Sequence, residues 1–140
     1  MKGQKKVLIL RFSSYGDVAI MIPALRALSR SYPNVDFKVI SRPKMTPLFD
    51  EFVNVEFISV DLDNNFKGLT GIFQLFKFLK KLKPTHIADL HDVIRTKIIC
   101  FLFKIFGFKL KTIDKGRTEK IALTRLKNKI FEPLTPTVFR

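Results

Sequence analysis

Val7-Leu8-Ile9-Leu10-Arg11-Phe12-Ser13-Ser14-Tyr15-Gly16-Asp17-Val18 is the stretch that decides the fold. Val7 to Phe12 is a near-continuous apolar run, the pattern of a strand buried on both faces of a parallel sheet. Ser13 to Asp17 then gathers turn and cap residue types. From Val18 to Tyr32, Ile22, Leu25 and Leu28 recur at helical spacing, with Pro23 near the first turn. Outward from this unit the alternation repeats. Pro33-Asn34 stops the helix, Phe37 to Ile40 reads as a second strand, Pro43 to Phe52 as a short helix and Val55 to Val60 as a third strand. Leu69, Ile72, Phe73, Phe76, Leu79 and Leu82 mark one helix face, with Lys77, Lys80 and Lys81 largely off it. His86 to Leu90 is a fourth strand, Arg95 to Phe106 a helix with Gly107 as its C-terminal cap, and Lys109 to Ile113 a fifth strand. Thr118 to Ile130 reads as a helix opened by a threonine cap, and Glu132 to Arg140 carries two prolines and no packing pattern. Strands alternating with helices at this length imply right-handed crossovers and an α/β, doubly wound parallel sheet.

The chain has 140 residues, room for one ordinary domain, and 46% hydrophobic against 27% charged residues excludes an intrinsically disordered chain. Twenty-six Lys and Arg against 12 Asp and Glu leave a net charge of +14. Residues 1–70 contribute +3 of it and residues 71–140 contribute +11. That balance points to an anionic partner: nucleic acid, a phosphorylated sugar or anionic lipid. The single Cys100 and two histidines support neither a disulfide framework nor a zinc cluster, so no metal is expected. Val7 to Leu10 is too short for a signal-peptide core, and Ile98 to Phe108, broken by Lys104, is too short to span a bilayer. The expectation is a soluble, cytoplasmic, basic domain.

Ligands of open α/β sheets bind at the carboxyl ends of the strands, which selects three loops. In the first, Ser13-Ser14-Tyr15-Gly16-Asp17 runs directly into a helix whose free N–H groups favour an anion. It matches neither GxGxxG nor GxxxxGK[ST], so neither nucleotide-binding fingerprint is met. An aspartate kept ionised there suits a general base; the alternative is that Asp17, Ser14 or Ser13 simply caps the helix. In the second loop, Asp89-Leu90-His91-Asp92 precedes Arg95 and Lys97. Arg95 offers a bidentate fork to a phosphate or carboxylate; alternatively Asp92 caps the helix and Arg95 and Lys97 lie on its solvated face. In the third, Asp114-Lys115-Gly116-Arg117 reads either as an anion cradle or as a polar turn.

The block Val7 to Val18, followed by Pro23-Ala24-Leu25-Arg26-Ala27-Leu28 and Tyr32-Pro33, resembles the opening of bacterial lipopolysaccharide heptosyltransferases, glycosyltransferase family 9. Ile87-Ala88-Asp89-Leu90-His91 with Arg95, and Asp114 to Arg117, are similar to later segments of that family in the same order. The resemblance implies a Rossmann-like, acceptor-binding domain of a GT-B enzyme over residues 1–130, with 131–140 beginning a linker to a donor-binding domain. It implies transfer of heptose from ADP-heptose, with inversion, onto the lipopolysaccharide inner core at the inner face of the cytoplasmic membrane. Asp17 takes the place of the family's general base. Arg11, Ser13, Ser14, Gly16, His91, Arg95, Lys115 and Arg117 would meet the acceptor. The donor would bind mainly the other domain, no cofactor is expected in this one, and the 140-residue chain alone is expected to show no turnover. The net charge would serve the acceptor's phosphates and carboxylates and a peripheral contact with anionic membrane.

Two rival readings stand beside this one. A basic α/β module binding nucleic acid or another polyanion without catalysis is motivated by charge, although no RNP-like strand, helix-turn-helix or zinc knuckle is visible. A receiver-like switch built on Asp89 lacks the acidic pair that would hold magnesium.

Overall fold

A computed structural model describes residues 4–125. Five strands, β1 (Lys5–Leu10), β2 (Val35–Ser41), β3 (Val55–Ser59), β4 (His86–Asp89) and β5 (Lys109–Thr112), form one sheet in the order β3-β2-β1-β4-β5. Every neighbouring pair is parallel, with Leu10 standing between Ile40 on one side and Asp89 on the other. Helices α1 (Tyr15–Ser31), α2 (Gly68–Lys81) and α3 (Ile94–Ile105), with a short 3-10 helix at Pro43–Leu48, make the connections, and α4 (Arg117–Thr124) follows β5.

The unbroken apolar run of β1 is explained by this central place. Leu8 and Leu10 pack with Ile40 and Ile87 against Leu75 and Leu79 of α2 and Ile99 and Phe103 of α3. Ile9, on the alternate face, packs with Val39 against Val18 and Leu25 of α1 and Met45 of the 3-10 helix. A strand with period-two side chains and helices on both sides needs an apolar residue at every position. The two outer helices are locked by Phe76 and Phe103, edge-on at 4.9 Å. Among the described residues no helix is long and apolar enough to cross a membrane.

Local chemistry moves several boundaries from the expected ones. Helix α1 starts at Tyr15 rather than Val18, because Ser14 is its N-cap and Asp17, three residues on, accepts the Ser14 backbone N–H. The cap of α3 is Val93 rather than Asp92, whose φ of 47° puts it in the left-handed region. Helix α4 is opened by Gly116 at φ 58°, not by Thr118, since glycine enters that region without a Cβ penalty. The apolar face of α2 is turned from the expected stripe. Gly71, Ile72, Leu75, Phe76 and Leu79 are buried, whereas Leu69 and Phe73 are exposed. Gly71 has a packing reason: a Cβ there would stand 2.1 Å from the carbonyl carbon of Phe66. The expected helix beyond position 125, the boundary at 130 and the linker at 131–140 lie outside the described residues.

Candidate functional site

Strand register brings the three loops together. Because β1 and β4 end side by side at Leu10 and Asp89, Arg11 and Leu90 enter their loops as neighbours, and the Leu90 N–H still donates to the Leu10 carbonyl at 3.1 Å. Asp89 is opposite Thr112 of β5, and the Ile113 N–H donates to the Asp89 carbonyl at 2.8 Å, so the Asp114–Arg117 turn arrives at the same edge.

Arg11 is the fixed element. Its residue is 8% exposed, Nη1 donates to the Leu90 carbonyl, and Nη2 lies 2.5 Å from Asp17 Oδ2. Its carbonyl accepts the Ser41 hydroxyl, and its Nε is buried with no hydrogen-bond partner among the described residues. Asp17 sits on the first turn of α1 with its side chain 46% exposed. Three donors converge on its Oδ2: the Ser14 N–H at 3.2 Å, the Ser14 hydroxyl at 3.0 Å and Arg11. Partial burial pushes this carboxyl up, but the Ser14 donors and the Arg11 guanidinium outweigh it and hold Asp17 below the usual carboxylate range. The helix cap and the acid–guanidinium pair are therefore the same group: Asp17 makes the capping contact that the sequence allowed and, with the same oxygen, pairs with Arg11.

The second loop is shaped from inside. Asp89 is 1% exposed, and its Oδ1 accepts the backbone N–H groups of His91 and Asp92, each at 2.9 Å. The Cys100 Sγ lies 3.8 Å from Oδ2, and burial together with that carboxylate pushes the thiol up to about 12. This turn sets the His91 ring edge-on to Phe12 at 5.6 Å, with Nε2 3.5 Å from the Ser13 hydroxyl. Asp92 receives Arg117 at 3.3 Å and Lys97 at 3.4 Å, so it organises cations rather than capping a helix. Lys115 is half-buried and has no ion pair among the described residues; burial, Arg11 and Arg117 push its ammonium below the usual lysine range.

Arg11, Ser13, Ser14, Asp17, His91, Lys115 and Arg117 thus share one edge, and Gly16 lies in the first turn of α1. Arg95 is placed differently. It is half-buried, and its Nη1 donates to the carbonyls of Leu62 at 3.3 Å and Phe66 at 3.0 Å, bracing the loop before α2 rather than lying on a solvated helix face. Ser41 carried no motif, and Leu90 was read only as part of its loop; the pairing of β1 with β2 and β4 is what brings the Ser41 hydroxyl and the Leu90 carbonyl onto Arg11. An open cleft of about 470 Å³ lies at the other end of the strands, lined by Val7, Phe37 and Ala88 with Lys5, Lys109 and Lys111.

His91 gives a pH prediction. Burial, then the charges of Arg11 and Lys115, lower its imidazole to about 4, so it is neutral in the fold while the unfolded chain titrates near 6.5. Between those values the unfolded chain binds the extra proton, so stability falls as pH drops from about 6.5 to about 4. The loss expected is on the order of 3 kcal/mol, absent from a His91→Gln variant, and urea unfolding at pH 7 and pH 4.5 measures most of it. Equal pH dependence in both proteins would remove His91 as its source.

No family model and no curated protein matches the sequence. Solved structures do match. A glycosyltransferase family 9 protein from Veillonella parvula superimposes over 79% of this chain and 37% of its own, with a TM-score of 0.65 and 20% identity. The E. coli heptosyltransferase WaaC, solved with ADP-2-deoxy-2-fluoro heptose, does so over 79% and 43%, with a TM-score of 0.57 and 17% identity. Methylglyoxal synthase from Elizabethkingia anophelis matches over 90% and 82%, at 0.51 and 10%. The chain spans less than half the length of the two glycosyltransferases it matches. One sheet architecture thus carries unrelated chemistries, and likeness at these identities speaks for the fold. That fold is the α/β, Rossmann-like parallel sheet of one part of the glycosyltransferase structures.

Proposed function

We propose that this chain is the acceptor-binding half of an inverting sugar transferase of the heptosyltransferase type. Asp17 acts as general base and the basic edge around Arg11 receives the acceptor. The observation that carries the reading is the half-exposed Asp17 carboxylate, fixed through one oxygen by Ser14 and Arg11 beside Lys115 and His91. In the reaction Asp17 takes the proton of the acceptor hydroxyl, that oxygen forms the bond to the anomeric carbon, and the bond to the leaving nucleoside diphosphate breaks. The donor is ADP-heptose, held mainly by a second domain; the acceptor is the phosphorylated, carboxylate-bearing inner core of lipopolysaccharide, and the basic surface meets the anionic membrane that carries it. The solved E. coli heptosyltransferase with its ADP-sugar analogue supports the donor class, and the resemblance of residues 7–18 supports the role of Asp17.

Binding of an inner-core fragment carrying a sugar-acid carboxylate and a phosphate tests this. NMR shifts should saturate and centre on residues 11–17, 89–92 and 115–117, and Arg11→Ala should weaken binding at least about tenfold, as loss of a charge-assisted pair does. Heparin or RNA producing saturable shifts where the fragment produces none would replace this reading with a polyanion-binding module.

A further inference from the structure

Arg11 and Asp17 are paired, and a carboxylate held by a guanidinium is a poor proton acceptor. If Asp17 is the base, as the proposed function has it, something must loosen that pair when an acceptor arrives. The geometry says which partner yields. Arg11 is buried and tied to the Leu90 carbonyl through Nη1, whereas the Asp17 side chain is half exposed and keeps two further donors from Ser14. Two cationic features at the same edge are unmet among the described residues. The Arg11 Nε is buried without a hydrogen-bond partner, and half-buried Lys115 has no ion pair. The other charged groups nearby are engaged: Arg117 with Asp92, and Asp89 with the backbone of its own turn. His91, facing Arg11 and Lys115 from the loop after β4, is neutral above about pH 4.

We infer that Arg11 is an exchange partner: an anionic group on the acceptor, drawn in by Lys115, takes the guanidinium from Asp17 and leaves the carboxylate held by Ser14 alone. Acceptor charge, rather than the reacting hydroxyl, then switches on the base. Arg11 is a positioning residue in this scheme, acting through Asp17. A neutral sugar with the same hydroxyl leaves the pair closed, so the switch also discriminates between acceptors. The chemistry required is a carboxylate or a phosphate, either of which matches a guanidinium edge.

The test follows the Asp17 carboxyl carbon by NMR during pH titration of the 140-residue chain, with glucuronate, inorganic phosphate or glucose as probe. Whichever anion is the true match should raise the Asp17 midpoint by about one unit or more, and glucose should leave it in place. Arg11→Ala should start from the raised midpoint and lose the response to anion, and Arg11→Lys, the variant that keeps a buried cation, should show a partial response. Lys115→Met should need a higher anion concentration for the same final midpoint. An anion that shifts the amides of residues 115–117 without moving Asp17 overturns the exchange and leaves the acceptor reading standing. A shift of Asp17 equal in wild type and Arg11→Ala also overturns it, since direct repulsion would then be the cause. Absence of shifts at residues 115–117 with both anions removes the exchange and the anionic-acceptor reading together.

Discussion

Asparagine in place of Asp17 is expected to lower sugar transfer by about two to four orders of magnitude, the usual contribution of a positioned general base. The assay needs a donor-binding half, joined to this chain or added to it, with ADP-heptose as donor. The substitution is close to isosteric, and an amide oxygen still accepts from the Ser14 N–H and hydroxyl that now reach Oδ2. The cap therefore persists, and the lost charge at the α1 N-terminus costs only about 0.3–1 kcal/mol. What disappears is the ability to take a proton from the acceptor. Because the pair with Arg11 goes as well, acceptor affinity should be unchanged or higher, and the defect should fall on kcat rather than on KM. Retention of transfer within about tenfold of wild type would remove Asp17 from the base role and leave it as the N3 partner of a helix cap.

The order of elements was legible in the chain because both periodicities are strong. The apolar run at Val7 to Leu10 and the helical spacing through Leu25 lead directly to a central parallel strand and its covering helix. The site was legible as three loops, since strand-end loops of parallel sheets collect at one edge whatever their sequence. The misplaced details were those decided by long-range contact. Leu69 and Phe73 have the right spacing for a core face, yet Gly71 lies against the backbone of Phe66 and turns α2 so that Leu75 enters instead. Arg95 has the right chemistry for an anion, yet the carbonyls of Leu62 and Phe66, about thirty positions earlier, occupy its Nη1. Asp92 has the composition of a cap, yet the two amides collected by Asp89 hold it in a left-handed turn and aim its carboxylate at Arg117 and Lys97. None of these follows from spacing, because each depends on which side chain of another segment lies nearby.

Alanine at position 89 is expected to cost about 2–5 kcal/mol of stability and to scatter half of the candidate site. Asp89 is 1% exposed, and its Oδ1 serves two backbone N–H groups, those of His91 and Asp92. Removing the acceptor leaves both amides without it, each at about 1–3 kcal/mol where water does not reach, somewhat less for the half-buried Asp92. Asp92 stands at φ 47°, a conformation a residue with a Cβ keeps only while its surroundings impose it. Release of that turn frees His91 from Phe12 and Ser13 and withdraws the carboxylate that holds Arg117 and Lys97. Asn is the informative companion. It keeps one oxygen for the two amides and turns its NH2 toward the Cys100 sulfur, a weak acceptor, so the loss should be about 1 kcal/mol. Urea unfolding of the two variants separates the contributions. If Asn is as damaging as Ala, the negative charge of Asp89 rather than its acceptor geometry holds the turn, and its attraction to the nearby Lys115 ammonium then counts for more than the two amides.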